Sequence, residues 1–238
     1  MLLKFIPPSK PLEGMPKKHE VHIWVIHLDI TSKQEKQQAM LLSKDEIQRA
    51  KRFHFPVHKK RFIATRSILR KILANYLNIP PQEIIFGYTA FQKPYLIHPN
   101  HTSLQFNVAH SHDMAALAIS SHDAIGIDIE QIQSNYPQEI VQRYFSQEEY
   151  KSWRQLSAKD QAVGFFRLWS RKEAIVKAIG KGLSIPLSSF TVSMHHESEI
   201  IAIENESWTL VSLAIHTDYQ AALATNQPIK TIKIEKFN

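Results

Sequence analysis

The chain has 238 residues, 43% of them hydrophobic, and carries 29 Lys and Arg against 22 Asp and Glu for a net charge of +7. It is long enough to bury one large core or two small ones, and its lack of cysteine excludes disulfides, thiolate metal sites and a cysteine nucleophile. No apolar run approaches the roughly 20 residues of a membrane span, and the basic balance favours acidic partners: phosphorylated small molecules, nucleic acid or an acidic protein.

An extended N-terminal arm comes first. Its short apolar run is broken by Pro7 and Pro8, unlike the core of a secretory signal, so a cytoplasmic protein is expected. The β-branched and aromatic stretch "EVHIWVIHLDI", residues 20–30, reads as a strand. In "SKDEIQRAKRF" Ser43 is a capping residue followed by early acids, which predicts a helix start. From His58 to Leu77 the spacing of Phe62, Leu69, Ile72, Leu73 and Tyr76 predicts a long amphipathic helix, closed by Pro80 and Pro81. "SLQFNVAHS" and "MAALAIS" follow as strands, and "SSHD" turns the chain into the strand "AIGIDIE", residues 124–130. In that strand Ile125, Ile127 and Ile129 share one face, and Gly126, Asp128 and Glu130 the other. Two carboxylates roughly 7 Å apart on one strand face repel each other and call for a compensating charge.

The second half repeats the order. After "AIGIDIE" come the capped helix "SQEEYKSWRQL", the long helix "DQAVGFFRLWSRKEAIVKAIGKG", and strands at "SFTVSM", "WTLVSLAI" and "YQAALAT". An offset of 103 takes Ser43 to Ser146, Glu46 to Glu149, Phe62 to Phe165 and Ile72 to Ile175. The pattern predicts two similar α+β halves, joined near residues 120–124, with a ligand cleft between them. On the second long helix Ser170, Glu173 and Lys177 follow one another at spacings of three and four. A carboxylate from this helix beside Asp128 and Glu130 would complete an oxygen-rich site for Mg²⁺. "HSHD" is not read as a transition-metal site, because His110 and His112 lack a third ligand nearby. Trp153, Trp169, Phe165 and Phe166 are core residues by their helical spacing. A different class of function, a non-enzymatic nucleic-acid-binding protein, would use the cluster Lys59, Lys60, Arg61, Arg66, Arg70 and Lys71.

"FNVAHS", "GIDIE" and "FFRLWSRKEAIVKAIGKGLSIPLSSF", in that order, with "QKP" at residues 92–94 and the basic region around Arg61, resemble the signature blocks of the 4′-phosphopantetheinyl transferases of the surfactin-synthetase type. The resemblance implies an Mg²⁺-dependent enzyme that moves the phosphopantetheine arm of coenzyme A to a serine of an apo acyl or peptidyl carrier protein. Adenosine 3′,5′-bisphosphate is released. Such carriers serve fatty-acid, polyketide and nonribosomal-peptide synthases, and no nucleic acid or membrane is involved. The implied fold is α+β, two halves in a pseudo-twofold arrangement, residues 1–122 and 123–238. Each half is a small, mainly antiparallel sheet packed with a long helix, with the active site at the junction; two fused halves imply a monomer. Carried over, Asp128, Glu130 and Glu173 are the metal-binding carboxylates, and His110 and Lys177 contact the pyrophosphate. Glu173 is the candidate general base, directly or through a metal-bound water. Arg61 and Lys93 fall on positions that hold the nucleotide-end phosphates, with Arg49 a further candidate. Ala109 stands where the family commonly has Ser, and Phe145 and Tyr150 lie where relatives face the carrier.

Overall fold

The computed structural model describes residues 4–6, 14–100 and 102–237; much of the expected N-terminal arm lies outside them. In chain order the elements are β1 (Lys4–Ile6), β2 (Glu20–His27), α1 (Ser32–Ala39), α2 (Lys44–Lys51), α3 (Pro56–Leu77), β3 (Ile85–Tyr88), β4 (Pro94–His98), β5 (Leu104–Ser111) and β6 (Met114–Ser121). There follow β7 (Ile125–Gln131), α4 (Glu139–Tyr144), α5 (Gln147–Arg154), α6 (Ala158–Ile179), β8 (Ser198–Ile203), β9 (Glu206–Leu213), β10 (Tyr219–Thr225) and β11 (Thr231–Phe237).

One sheet has the order β1-β11-β2-β6-β5 and the other β7-β10-β9-β8, while β3 and β4 form a separate hairpin. The antiparallel runs β2-β6-β5 and β7-β10-β9 correspond, one in each half. The first sheet is not antiparallel throughout: β11, from the end of the chain, lies parallel to both β1 and β2. Lys233 of β11 reaches Glu20 of β2 at 2.8 Å.

Strand alternation builds the layers. On β2, Trp24 and Ile26 pack under α3 with Ile68, Leu69, Ile72 and Leu73, while Val21, Ile23 and Val25 face the other way. There they meet Ile125, Ile127 and Ile129 of β7 and Leu223 of β10. A third core lies between α6 and the second sheet and contains Trp153, Phe165, Phe166, Leu168 and Ile175, with Trp169 packed against it. These aromatic side chains are core, as their spacing predicts. The face of β7 turned from the isoleucines meets α6. A Cβ on Gly126 would sit 2.1 Å from Ala174 O and 2.2 Å from Ala178 N, so glycine is what lets the helix backbone lie directly on the strand.

The two short helices are built alike. Ser43 N donates to Glu46 Oε2 at 3.0 Å, and Ser146 N to Glu149 Oε2 at 2.7 Å, the reciprocal arm of a capping box. Each of these glutamates is buried and finds a cation on the long helix of its own half. Glu46 takes Arg66 at 2.9 Å and Arg70 at 2.7 Å, and Glu149 takes Lys172 at 2.9 Å. Arg66 and Arg70 also lie over the ring of Phe86, so two members of the basic cluster are buried and unavailable to nucleic acid.

Two expectations need correction. The long helices, each of 22 residues, end at left-handed residues, Asn78 with φ 52° and Gly180 with φ 79°; Asn78 closes α3 before the prolines are reached. "SFTVSM" is not a strand. Its backbone groups are taken by buried side chains: Lys172 Nζ donates to Phe190 O at 2.6 Å, and Glu149 Oε1 accepts from Val192 N at 2.7 Å. With those groups satisfied the segment needs no ladder. Asp128 lies under α6 and is 2% exposed.

Candidate active site

The seam between β7 and α6 gathers the charged residues. Lys177 on α6 donates to Asp128 Oδ1 at 2.5 Å, while Asp128 Oδ2 is buried without a hydrogen-bond partner. Burial pushes the Asp128 carboxyl up against the pull of Lys177. Burial alone would lower Lys177, but Asp128, Glu173 and Glu130 outweigh it and hold the ammonium above its ordinary value. Glu130 is pushed up to about 7 by burial and by Asp128, opposed by a hydrogen bond from Ser111 and by Lys177. Glu173 is raised by burial. On the neighbouring strand β5, His110 is held below its ordinary value by burial, then by Lys177 and Arg61. Asp128, Glu130, Glu173, Lys177 and His110 therefore share one electrostatic neighbourhood.

Glu130 gives this neighbourhood a testable sign. A carboxylate whose folded pKa lies above its ordinary 4.5 binds more protons folded than unfolded between about 4.5 and 7, so its contribution to stability falls as pH rises through that window. In metal-free protein, Glu130→Gln should gain stability relative to wild type at pH 7.5 compared with pH 5.5. Urea unfolding of both proteins at the two pH values checks this, and an opposite change would contradict it.

A cavity of ≈ 220 Å³ opens beside these groups, lined by Asn107, Val108, Glu173, Lys177, Gly180 and the turn around Gln92 and Lys93. The Lys93 ammonium faces backbone carbonyls, donating to Lys177 O at 2.6 Å, Ile125 O at 3.0 Å and Ala178 O at 3.3 Å. It thereby caps the last turn of α6, and burial lowers it to about 8. Arg61, half-buried on α3, lines a second hollow with Lys60, His112, Asp113 and Gln131 at the end of β7. Arg49 stands apart on α2, exposed, its guanidinium over the Phe62 ring, beside a separate hollow that also touches Gln92. Two residues of the seam escape sequence reasoning: Asn107, whose Oδ1 accepts from Ile127 N at 2.8 Å, and Ser111, whose Oγ donates to Glu130 Oε2 at 2.8 Å. Their polar side chains on one face of β5 were the available signal.

Among the described residues no group of three or more His, Cys, Asp and Glu side chains is arranged to hold a metal ion. The cation facing Asp128 is the ammonium of Lys177. The donor chemistry still suits a hard divalent ion, since the seam offers carboxylate oxygens and Asp128 Oδ2 is a buried acceptor with nothing donating to it.

Residues 29–122 match the family model for the 4′-phosphopantetheinyl transferase N-terminal region, and residues 124–224 match that of the 4′-phosphopantetheinyl transferase superfamily. The chain is 36% identical over 207 residues to the 4′-phosphopantetheinyl transferase HetI of Nostoc sp., covering 86% of this chain and 87% of that protein. The chain belongs to this family. Two further phosphopantetheinyl transferases are similar: psf-1 of Bacillus pumilus, 32% identical over 78% of this chain and 79% of that one, and Sfp of Bacillus subtilis (strain 168), 29% identical over 75% and 79%. The protein is thus a transferase of the 4′-phosphopantetheine arm that acts on carrier proteins, with coenzyme A as the family's co-substrate. Its phosphopantetheinyl transferase fold carries no described helix long and apolar enough to cross a membrane.

Proposed function

We propose that the seam between β7 and α6 is the transfer site, that coenzyme A binds across it, and that Asp128, Glu130 and Glu173 hold a Mg²⁺ ion there. The observation that carries this reading is the buried Asp128, with one oxygen on Lys177 and the other unpartnered. Such an oxygen is costly unless a cation or donor reaches it. When bound, the ion would supply a Lewis acid that draws charge from the diphosphate oxygens.

The chain's own residues do the rest. The serine oxygen of the carrier forms a bond to the β-phosphorus of coenzyme A as the bond from that phosphorus to the bridging oxygen breaks, and adenosine 3′,5′-bisphosphate leaves. Lys177, kept charged by three surrounding carboxylates, places a fixed positive charge where phosphoryl oxygens gain negative charge. His110, on β5 beside Lys177, donates one ring N–H to the diphosphate. Glu173, with its raised pKa, takes the serine proton. Arg61 offers a planar fork to the nucleotide-end phosphate. Lys93 spends its ammonium on the carbonyls that end α6 and so shapes that end of the cavity, and Arg49 extends the basic surface at the separate hollow beyond Gln92.

Incubation with coenzyme A, Mg²⁺ and a panel of apo acyl and peptidyl carriers tests the reading by mass spectrometry. One phosphopantetheine added per carrier is expected, and no gain on any carrier would refute it. The phosphate assignment separates with 3′-dephospho-coenzyme A. Arg61→Ala should raise KM for coenzyme A about 10- to 100-fold, the worth of a charged hydrogen bond, and leave the dephospho substrate nearly unchanged. Lys93→Met should impair both substrates equally, because the loss is a helix cap. Equal losses for Arg61→Ala would move it off the 3′-phosphate.

A further inference from the structure

At the seam between the two sheets, β5 and β7 lie alongside one another without a backbone ladder, since among the described residues β5 pairs only with β6 and β7 only with β10. Two β5 side chains stand in for the missing rungs. Asn107 Oδ1 accepts from Ile127 N at 2.8 Å, and Ser111 Oγ accepts from Gln131 N at 3.2 Å. Asn107 and Ser111 are buried and share one face of β5, being an even number of residues apart. The N–H groups they receive bracket Asp128 and Glu130 on β7. Ser111 does more than replace a rung. Its single hydroxyl proton goes to Glu130 Oε2 at 2.8 Å, while His112 Nδ1 stands at 3.4 Å, the far edge of hydrogen-bond range. One hydroxyl therefore holds both the backbone of β7 and one oxygen of its outer carboxylate.

We propose that Ser111 is a positioning residue of the transfer site. It pins β7 through Gln131 and fixes the rotamer of Glu130, leaving the other carboxylate oxygen for the space shared with Asp128 and Glu173. This rests on the reading of Glu130 as a metal-holding carboxylate. Groups that orient metal-binding carboxylates change metal affinity by roughly 10- to 100-fold when removed, without touching the metal themselves. Alanine at 111 would leave Gln131 N–H without its acceptor and let Glu130 turn; threonine keeps the hydroxyl.

The test is Mn²⁺ uptake by the full chain, read by electron paramagnetic resonance with and without coenzyme A, beside the Mg²⁺ dependence of transfer and the melting temperature. Ser111→Ala should weaken Mn²⁺ uptake about tenfold and raise the half-saturating Mg²⁺ by the same factor. Its kcat at saturating Mg²⁺ should stay within about twofold, and Ser111→Thr should restore both affinities. Wild-type uptake with unchanged uptake by Ser111→Ala overturns the inference alone. Equal loss in the alanine and threonine variants, with lowered melting temperatures, also overturns it, since the effect is then packing. A wild-type chain that takes up no Mn²⁺ under either condition removes the carboxylate-site reading and the inference with it.

Discussion

Asp128→Asn is expected to lower kcat for phosphopantetheine transfer by about a thousand-fold or more at saturating coenzyme A and Mg²⁺, while the protein stays folded. Removing one preorganised electrostatic group from such a site typically costs 10² to 10³, and here the charge that faces Lys177 is lost as well. Asparagine keeps the shape and an oxygen for Lys177. Alanine is the poorer probe, because Asp128 is buried and truncation would open a void and strand the ammonium of Lys177. Steady-state transfer kinetics and a thermal melt on the same preparation check the outcome. Activity within tenfold of wild type, with normal Mg²⁺ dependence, would remove Asp128 from the machinery.

Lys172→Met should cost about 3–5 kcal/mol of stability, the usual effect of leaving a buried charge without its partner. Lys172 is fully buried and serves three acceptors, Glu149 at 2.9 Å and the carbonyls of Leu187 and Phe190 at 2.6 Å each. Burial lowers Lys172 and raises Glu149, so each needs the other to remain charged. The segment that follows α6 has no ladder of its own and is tied down by these two side chains. Adding Glu149→Gln to Lys172→Met should recover part of the loss, since the second change removes the orphaned carboxylate. Urea unfolding of the two single variants and the double variant measures the coupling. A loss below 1 kcal/mol for Lys172→Met would mean that water reaches Glu149.

Local signals made the repeating frame readable. The Ser-x-x-Glu caps, the apolar stripes of α3 and α6 and the alternation of "AIGIDIE" depend on neighbours a few residues away. The helix α1 escaped notice because it has no buried residue and hence no apolar stripe. The strand β11 went unread although Ile232 and Ile234 alternate with Lys233 and Glu235, and its pairing with β2 is set across almost the whole chain. The same division holds at the site. That Asp128 and Glu130 share a face follows from strand periodicity, and a carboxylate on α6 was legible as a candidate third member. The Asp128–Lys177 ion pair, the turning of Lys93 onto the carbonyls of α6 and the hold of Ser111 on Glu130 are tertiary contacts, which no local pattern encodes. Glu46 is instructive: the sequence offers it as the counterpart of Glu149, but only the tertiary structure brings Arg66 and Arg70 onto it.

The placement of β11 between β1 and β2 bears on folding. Joining β11 to β2 closes a far longer stretch of chain than joining β6 to β2, and closure entropy grows with that length. Until Thr231–Phe237 docks, β2 presents an unfilled slot, and its open edge is a ready template for another chain.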